Sequence, residues 1–301
     1  MIHESGNQEP GAWKLPGSPQ AKALAHISAR SCGGQIDPSL HVTLNFHPDR
    51  LLERKPILQL LAMEGIYRSQ FETGTSNGGL TAHPGGNRWQ WESRIFGSAY
   101  DDASPFQRPK YGALNYRHRA TGGSPRFGSA HFRLKRDVLL RSTFCYPDSF
   151  FEPAHFGVAS HMALVSLAEA DDRDRLDDYI EAHVHGPICL ADDAEALVLD
   201  PCYRDTEIEM LAHGLPCPVE WHAGFRLHVD VLLKHSEYRG PEYVELGMAL
   251  VRGEHLTPAI LGHAAQTGQY DLQDLKKVWH YLARFGDLGE AEERRADESS
   301  H

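Results

Sequence analysis

No stretch of this 301-residue chain approaches the roughly 18 consecutive apolar residues needed to cross a bilayer, so no membrane partner is expected. The first ten residues also lack the basic-then-apolar layout of an export signal. The expected location is the cytoplasm, or the cell exterior by a route that leaves no such mark. Cysteine is scarce: Cys32, Cys145, Cys189, Cys202 and Cys217 are odd in number and form no Cys-x-x-Cys, which excludes a disulfide framework and a zinc knuckle. Basic charge is in deficit as well. Thirty Lys and Arg against 41 Asp and Glu give a net charge of −11, which argues against a general nucleic-acid-backbone binder but leaves room for a local basic patch. Two familiar signatures are missing too: no G-x-G-x-x-G follows a strand, and no Gly-Lys-Ser/Thr closes a phosphate loop.

What is present has a globular balance, with 41% hydrophobic and 24% charged residues and a length that suits one or two domains. Residues 1–20 are rich in Pro and Gly and predict a flexible lead-in. Val42, Leu44 and Phe46 alternate with Thr43 and Asn45, the pattern of a half-buried strand. Asp49 then suits the N-cap of an amphipathic helix carrying Leu51, Leu52, Ile57, Leu58 and Leu61, with Pro56 starting a second segment and Gly65 ending it. A short strand over 66–71 leads into a long glycine-rich connection over 73–86, followed by an aromatic stretch from Trp89 to Tyr100. Further strands are predicted over 111–116, 127–134, 138–144, 179–186, 196–199 and 219–221, with a helix over 158–170. The pattern becomes helical from Phe225 to Gly286. The expected organisation is therefore a flexible segment 1–20, an α+β catalytic domain 21–222 built on a mixed or antiparallel sheet, a helical region 223–286 packed on it, and a disordered tail 287–301. No internal repeat is visible.

Among 19 histidines the informative pair is His183 and His185. On a strand they share one face with Glu181, while Ile180, Ala182 and Val184 share the other. That polar face has three readings: a solvated surface, a catalytic carboxylate, or metal ligands, the last using His183 and His185 with His47 and Asp49. Asp49 is better explained as a helix cap. Arg68, just before the glycine-rich loop, is suited to clamping a diphosphate, although a lone surface arginine is the plainer reading. Arg68, Arg88, Arg94 and Arg141 are candidates for a local basic site. Ser142 and Thr143 could orient a carboxylate or a ribose hydroxyl, or simply serve strand-end turn chemistry. Cys145 has no sequence context that marks a nucleophile. The aromatic stretch from Trp89 to Tyr100 also fits a non-catalytic domain that docks a protein.

Tyr67-Arg68-Ser69, Arg141-Ser142-Thr143-Phe144 and Tyr179-Ile180-Glu181 together resemble the three spaced motifs of the arginine-serine-glutamate class of ADP-ribosyltransferases. Phe144 stands where that class often has a second Ser, and Tyr179 where it tends to carry Gln or Glu. The resemblance implies an ADP-ribosyltransferase-like fold with NAD as substrate and no resident metal. It also implies an unknown protein, nucleic-acid or small-molecule acceptor, in a toxin, an effector or a housekeeping enzyme. Glu181 would be catalytic, with Ser142 and Thr143 orienting it and His183 placing the acceptor or the nicotinamide amide. Arg68, Ser69, Thr75, Ser76, Gly78, Gly79 and Arg141 would hold the cofactor. Separately, residues 45–50, 69–74 and 179–186 resemble a bacterial family of unassigned activity, domain of unknown function 3626, over nearly the whole stretch from Ala21 to Gly286.

Overall fold

Eight strands, β1 (Val42–Phe46), β2 (Lys110–Leu114), β3 (Ala130–Leu134), β4 (Ser142–Tyr146), β5 (His155–Val158), β6 (Ile180–Val184), β7 (Ala194–Leu199) and β8 (Val219–Trp221), pair into one sheet. Their order is β8-β7-β3-β1-β2-β6-β4-β5, and every pairing is antiparallel except β7 with β8. The chain is described by a computed structural model over residues 12–74 and 81–289. Helices α1 (Pro19–Ser28), α2 (Ile57–Glu64), α3 (Asn87–Ile95), α4 (Leu164–Glu169) and α5 (Glu207–Ala212) flank the sheet. Four more, α6 (Val229–Lys234), α7 (Pro241–Leu250), α8 (Pro258–Thr267) and α9 (Leu272–Phe285), form the C-terminal region. The class is α+β, and no helix among the described residues is long and apolar enough to cross a membrane.

The two faces of the sheet differ. Leu44, Phe132, Leu197, Ile180, Ala182 and Phe144 form one continuous apolar face against Leu58 and Leu61 of α2, Leu164 of α4 and Ala212 of α5. Each fully buried Leu or Phe there contributes roughly 1.5–3 kcal/mol. The opposite face carries Thr143, Cys145, Glu181 and His183, and α1 and the end of α3 cover part of it with Ala23, Ile27, Ile95 and Phe96.

Register opens the sheet at its centre. β1 pairs with β3 from Thr43↔Arg133 to Phe46↔Ala130, but with β2 only at Val42↔Leu114 and Thr43↔Ala113. β2 in turn pairs with β6 along its whole length. Past Thr43, therefore, β1 and β2 part company. Side chains replace the missing ladder: Thr43 Oγ1 accepts the Gly123 amide at 2.8 Å, and Asn45 Nδ2 donates to the Thr121 carbonyl at 2.9 Å. Gly122 has φ +85°, and a Cβ there would meet Asn45 Oδ1 at 2.6 Å, so only glycine fits.

The C-terminal helices build a second core around Val278, Trp279 and Leu282 of α9, with Leu232, Val244 and Leu261 from the other three helices. This core docks on the sheet domain through Trp279 Nε1, which donates to the Pro125 and Arg126 carbonyls, both at 3.1 Å. Arg175 and Asp287 add a buried pair at 2.6 Å.

Several local expectations need correction. Asp49 caps no helix: Leu51–Leu52 and Lys55–Pro56 make a hairpin, and α2 starts at Ile57 because proline is tolerated only at a helix entrance. Gly65 ends α2 in the left-handed conformation, as its position predicts. Residues 66–71 form no strand of the sheet. Ser69 instead caps the single turn Gln70–Thr73 in a capping box with Glu72, a Ser-x-x-Glu signature visible in the sequence. The strand expected over 138–144 is a 3₁₀ helix, Arg136–Arg141, followed by β4. The one expected over 127–134 begins only at Ala130, after the 3₁₀ turn Pro125–Phe127. The helix expected over 158–170 shrinks to α4, because Val158 ends β5. Within the expected lead-in, Ser18 caps α1 and Trp13 lies against Gly186. Asp287, expected in the tail, is buried in its pair with Arg175.

Candidate functional site

Where β1 and β2 separate, a cleft of about 560 Å³ opens. Asn45, Phe46 and His47 line it from β1 and just beyond, and Lys110, Tyr111 and Gly112 from β2. Glu181 of β6 lies in its wall. Arg68 and Arg88 line it as well, and α9 reaches it with Gln273 and Lys276.

Glu181 is held at both carboxylate oxygens. Ser149 Oγ donates to Oε2 at 3.1 Å, and Arg88 donates to that serine hydroxyl at 2.9 Å. His183 Nε2 contacts Oε1 at 2.9 Å. Behind His183, Thr143 Oγ1 lies 3.1 Å from its Nδ1 and 2.9 Å from His185 Nε2, and Tyr100 Oη lies 2.6 Å from His185 Nδ1. Tyr100 is fully buried and His185 Nδ1 is its hydroxyl's partner, so the tyrosine donates. The direction of every later bond follows: His185 Nε2–H to Thr143, the Thr143 hydroxyl to His183 Nδ1, and His183 Nε2–H to Glu181. Phe96 closes over both imidazoles edge-on, with centroids at 5.1 and 5.4 Å.

Burial raises the Glu181 pKa, but the His183 hydrogen bond, the Arg88 charge and the Ser149 hydroxyl outweigh it, and the carboxyl ends below its ordinary value. Neighbouring Asp148 moves the other way, pushed up by burial and by the Glu181 charge. Tyr179 donates to Asp148, which caps the 3₁₀ turn that carries Ser149. Burial drives His185 well below the usual histidine range, which keeps it neutral. Arg88 stacks between Trp91 and Tyr111, with its guanidinium carbon 4.7 and 4.3 Å from the ring centres. One turn along α3, Glu92 accepts from Arg108 at 2.6 Å and from the Tyr111 hydroxyl at 3.0 Å; burial pushes its carboxyl up to about 7.

Arg68 and Glu181 thus face one cleft, but several other residues picked from the sequence do not. Ser142 projects to the face opposite Thr143 and donates to the Val138 carbonyl at 2.8 Å, so it cannot orient Glu181. Thr143 acts on Glu181 only through His183. Arg141 is a structural clamp, bonded to the His185 and Pro187 carbonyls at 2.8 and 2.7 Å and paired with Asp193 at 2.8 Å. The Ser69 hydroxyl is taken by its cap and by the Pro105 carbonyl at 2.7 Å. Arg94 points outward to Glu152 at 3.2 Å. Arg68 itself is paired with Glu64 and, at 3.5 Å, with Glu53. Thr75, Ser76, Gly78 and Gly79 lie outside the described residues. In the aromatic stretch from Trp89 to Tyr100, Phe96 and Tyr100 are buried over the sheet, while Trp89 and Trp91 are half-buried.

The expected four-residue metal set is not assembled. Both nitrogens of His185 are engaged, His47 packs edge-on against Trp279 at 4.9 Å, and Asp49 lies beneath α8, accepting from Tyr203 at 2.7 Å. A different trio converges instead: Cys145 Sγ stands 3.8 Å from Glu181 Oε1 and 3.9 Å from His183 Nε2, a spacing that three ligands of one zinc ion would have. The trio is not a Cys-His-Glu triad, because cysteine and carboxylate share the same imidazole nitrogen. Burial, then the Glu181 charge, raises the Cys145 thiol well above its ordinary pKa. Ser149, which donates to Glu181, carried no signal in the sequence, whereas Arg88, one of the four arginines of the expected basic site, reaches Glu181 through that serine.

The chain belongs to the family described as protein of unknown function (DUF3626), which matches residues 41–169 and 157–285. No curated protein matches it. The matched stretches take in all eight strands, the cleft and the C-terminal helices, so sheet and helical region are both parts of the family's structure.

Proposed function

We propose that the cleft binds NAD and that the protein cleaves the nicotinamide–ribose bond, passing ADP-ribose to an acceptor or to water. The observation that carries this reading is Glu181, ionised and fixed at both oxygens, in the wall of a cleft that Arg68 and Arg88 also line. The C–N bond breaks with its electron pair leaving on nicotinamide, and positive charge develops at the ribose anomeric carbon. A carboxylate beside that carbon stabilises the charge. The nucleophile then bonds to the carbon and loses its proton. A volume of about 560 Å³ falls among those of small-molecule sites, and Tyr67, Tyr111 and Phe127 supply apolar surface for flat rings. The test is incubation of purified protein with NAD, following nicotinamide release and label transfer. Activity in the wild type with loss in Glu181→Gln supports the reading; no release and no transfer, or full activity in Glu181→Gln, overturns it.

A second reading rests on the Cys145, Glu181 and His183 trio as a divalent-metal hydrolytic centre. It requires the Cys145 thiolate, which burial and the Glu181 charge disfavour, and it places a cation near Arg88. Stoichiometric zinc in untagged protein, lost in Cys145→Ser, would favour it over NAD chemistry.

A further inference from the structure

Cationic side chains gather where α9 reaches the cleft. Lys276 of α9 and Arg126 both line it. Trp279 fastens the Arg126 backbone to the helix less than one turn beyond Lys276, through its bonds to the Pro125 and Arg126 carbonyls. Two residues further, the Tyr281 hydroxyl accepts the Arg239 amide at 2.9 Å, which brings Arg239 to the same stretch. His280, one turn after Lys276, is 1% exposed, and neither of its ring nitrogens has a partner. Arg239 Nε is likewise buried without a partner.

Counter-charge is short here. Arg126 pairs with Asp177, but among the described residues Lys276, Lys277 and Arg239 form no ion pair. Asp271, at the start of α9, serves as its N-cap and accepts the Gln273 amide at 2.7 Å. Burial, followed by the charges of Arg126, Lys277 and Arg239, pushes the Lys276 ammonium down to about 8. Burial and the same set of cations, Lys276 included, depress His280. Buried donors without acceptors and like charges without a counter-ion are both costly, and one anion relieves both. A phosphoryl group suits the donors, which are a guanidinium fork, an ammonium and an imidazole N–H.

We infer that Arg126 and Lys276, which line the cleft, form a phosphoryl-binding subsite at its α9 end together with the neighbouring His280, Arg239 and Lys277. The subsite goes beyond the NAD reading and does not require it, since it would hold any phosphorylated ligand of the cleft. It also gives the C-terminal helices a part in binding.

The test is calorimetric titration of the full chain with inorganic pyrophosphate at low salt. The expected result is one site per chain, weakened by added salt. Affinity should fall about tenfold or more in Lys276→Gln, recover in Lys276→Arg, and stay at the wild-type value in the surface control Lys22→Gln. His280→Leu reports the same site without changing a lysine. Glu181→Gln should bind pyrophosphate as the wild type does, which separates failure of the subsite from failure of the NAD reading. Absence of pyrophosphate binding, or equal affinity in wild type, Lys276→Gln and His280→Leu, overturns the proposal. Displacement of pyrophosphate by NAD would assign the phosphoryl group to the dinucleotide; simultaneous binding would assign it to a second substrate. Both results keep the subsite.

Discussion

Two buried polar regions border the same cleft, and they are built on opposite principles. On the β6 face every donor from Tyr100 to Glu181 meets an acceptor, and Ser149 completes the carboxylate. Around α9, the His280 ring and Arg239 Nε meet none, and the charges that act on His280 are all positive. A satisfied network fixes geometry before a ligand arrives, whereas an unsatisfied one leaves its last partner to be supplied from outside. The first region resembles a tool already set, the second a receptor.

The sharpest way to break this comparison is at Glu181. If the first region is preset for charge stabilisation, Glu181→Gln should lower the rate of nicotinamide release by about 10²–10³-fold while leaving pyrophosphate binding alone. Thr143→Val comes next: it strips partners from both His183 and His185, and urea denaturation should show a loss of about 1–3 kcal/mol. His280→Leu is the contrasting change on α9. It removes a ring with no partners, so stability should stay level or rise by up to about 1 kcal/mol while pyrophosphate affinity falls. A stability loss in His280→Leu as large as in Thr143→Val would erase the distinction between the regions.

A further effect is a pH dependence. With its folded-state pKa lowered to about 8, Lys276 holds fewer protons in the folded protein than in the unfolded chain between that value and its ordinary value of about 10.4. This group therefore makes stability rise with pH across that window. Denaturation midpoints measured there should show the rise in the wild type, a weaker one in Lys276→Gln, and a weaker one again when pyrophosphate occupies the subsite.

Parts of this arrangement were legible in the sequence because they depend on neighbours in the chain. Period-two alternation put Glu181, His183 and His185 on one face, and Gly65 marked a helix end. The same alternation could not show that Phe96 and Tyr100 would cover that face, nor whether Ser142 or Thr143 would share it. The apolar residues around Arg68 suggest a strand, and the Ser-x-x-Glu cap beside it overrides them. The cleft itself arises from a register between β1 and β2 that runs out after Thr43, a long-range event without a local signature. Arg126 and Lys276 likewise line one cleft from segments far apart in the chain, which Trp279 ties together.

The donor chain from Tyr100 to Glu181 has an electrical consequence. Its four bonds run in one sense, so their dipoles add instead of cancelling, and the positive ends point at the carboxylate. Reversing that polarity would require the protons of all these bonds to shift together and would leave the Tyr100 hydroxyl without an acceptor. The sheet face therefore carries a one-way field at the wall of the cleft, set by the fold and present before any ligand enters.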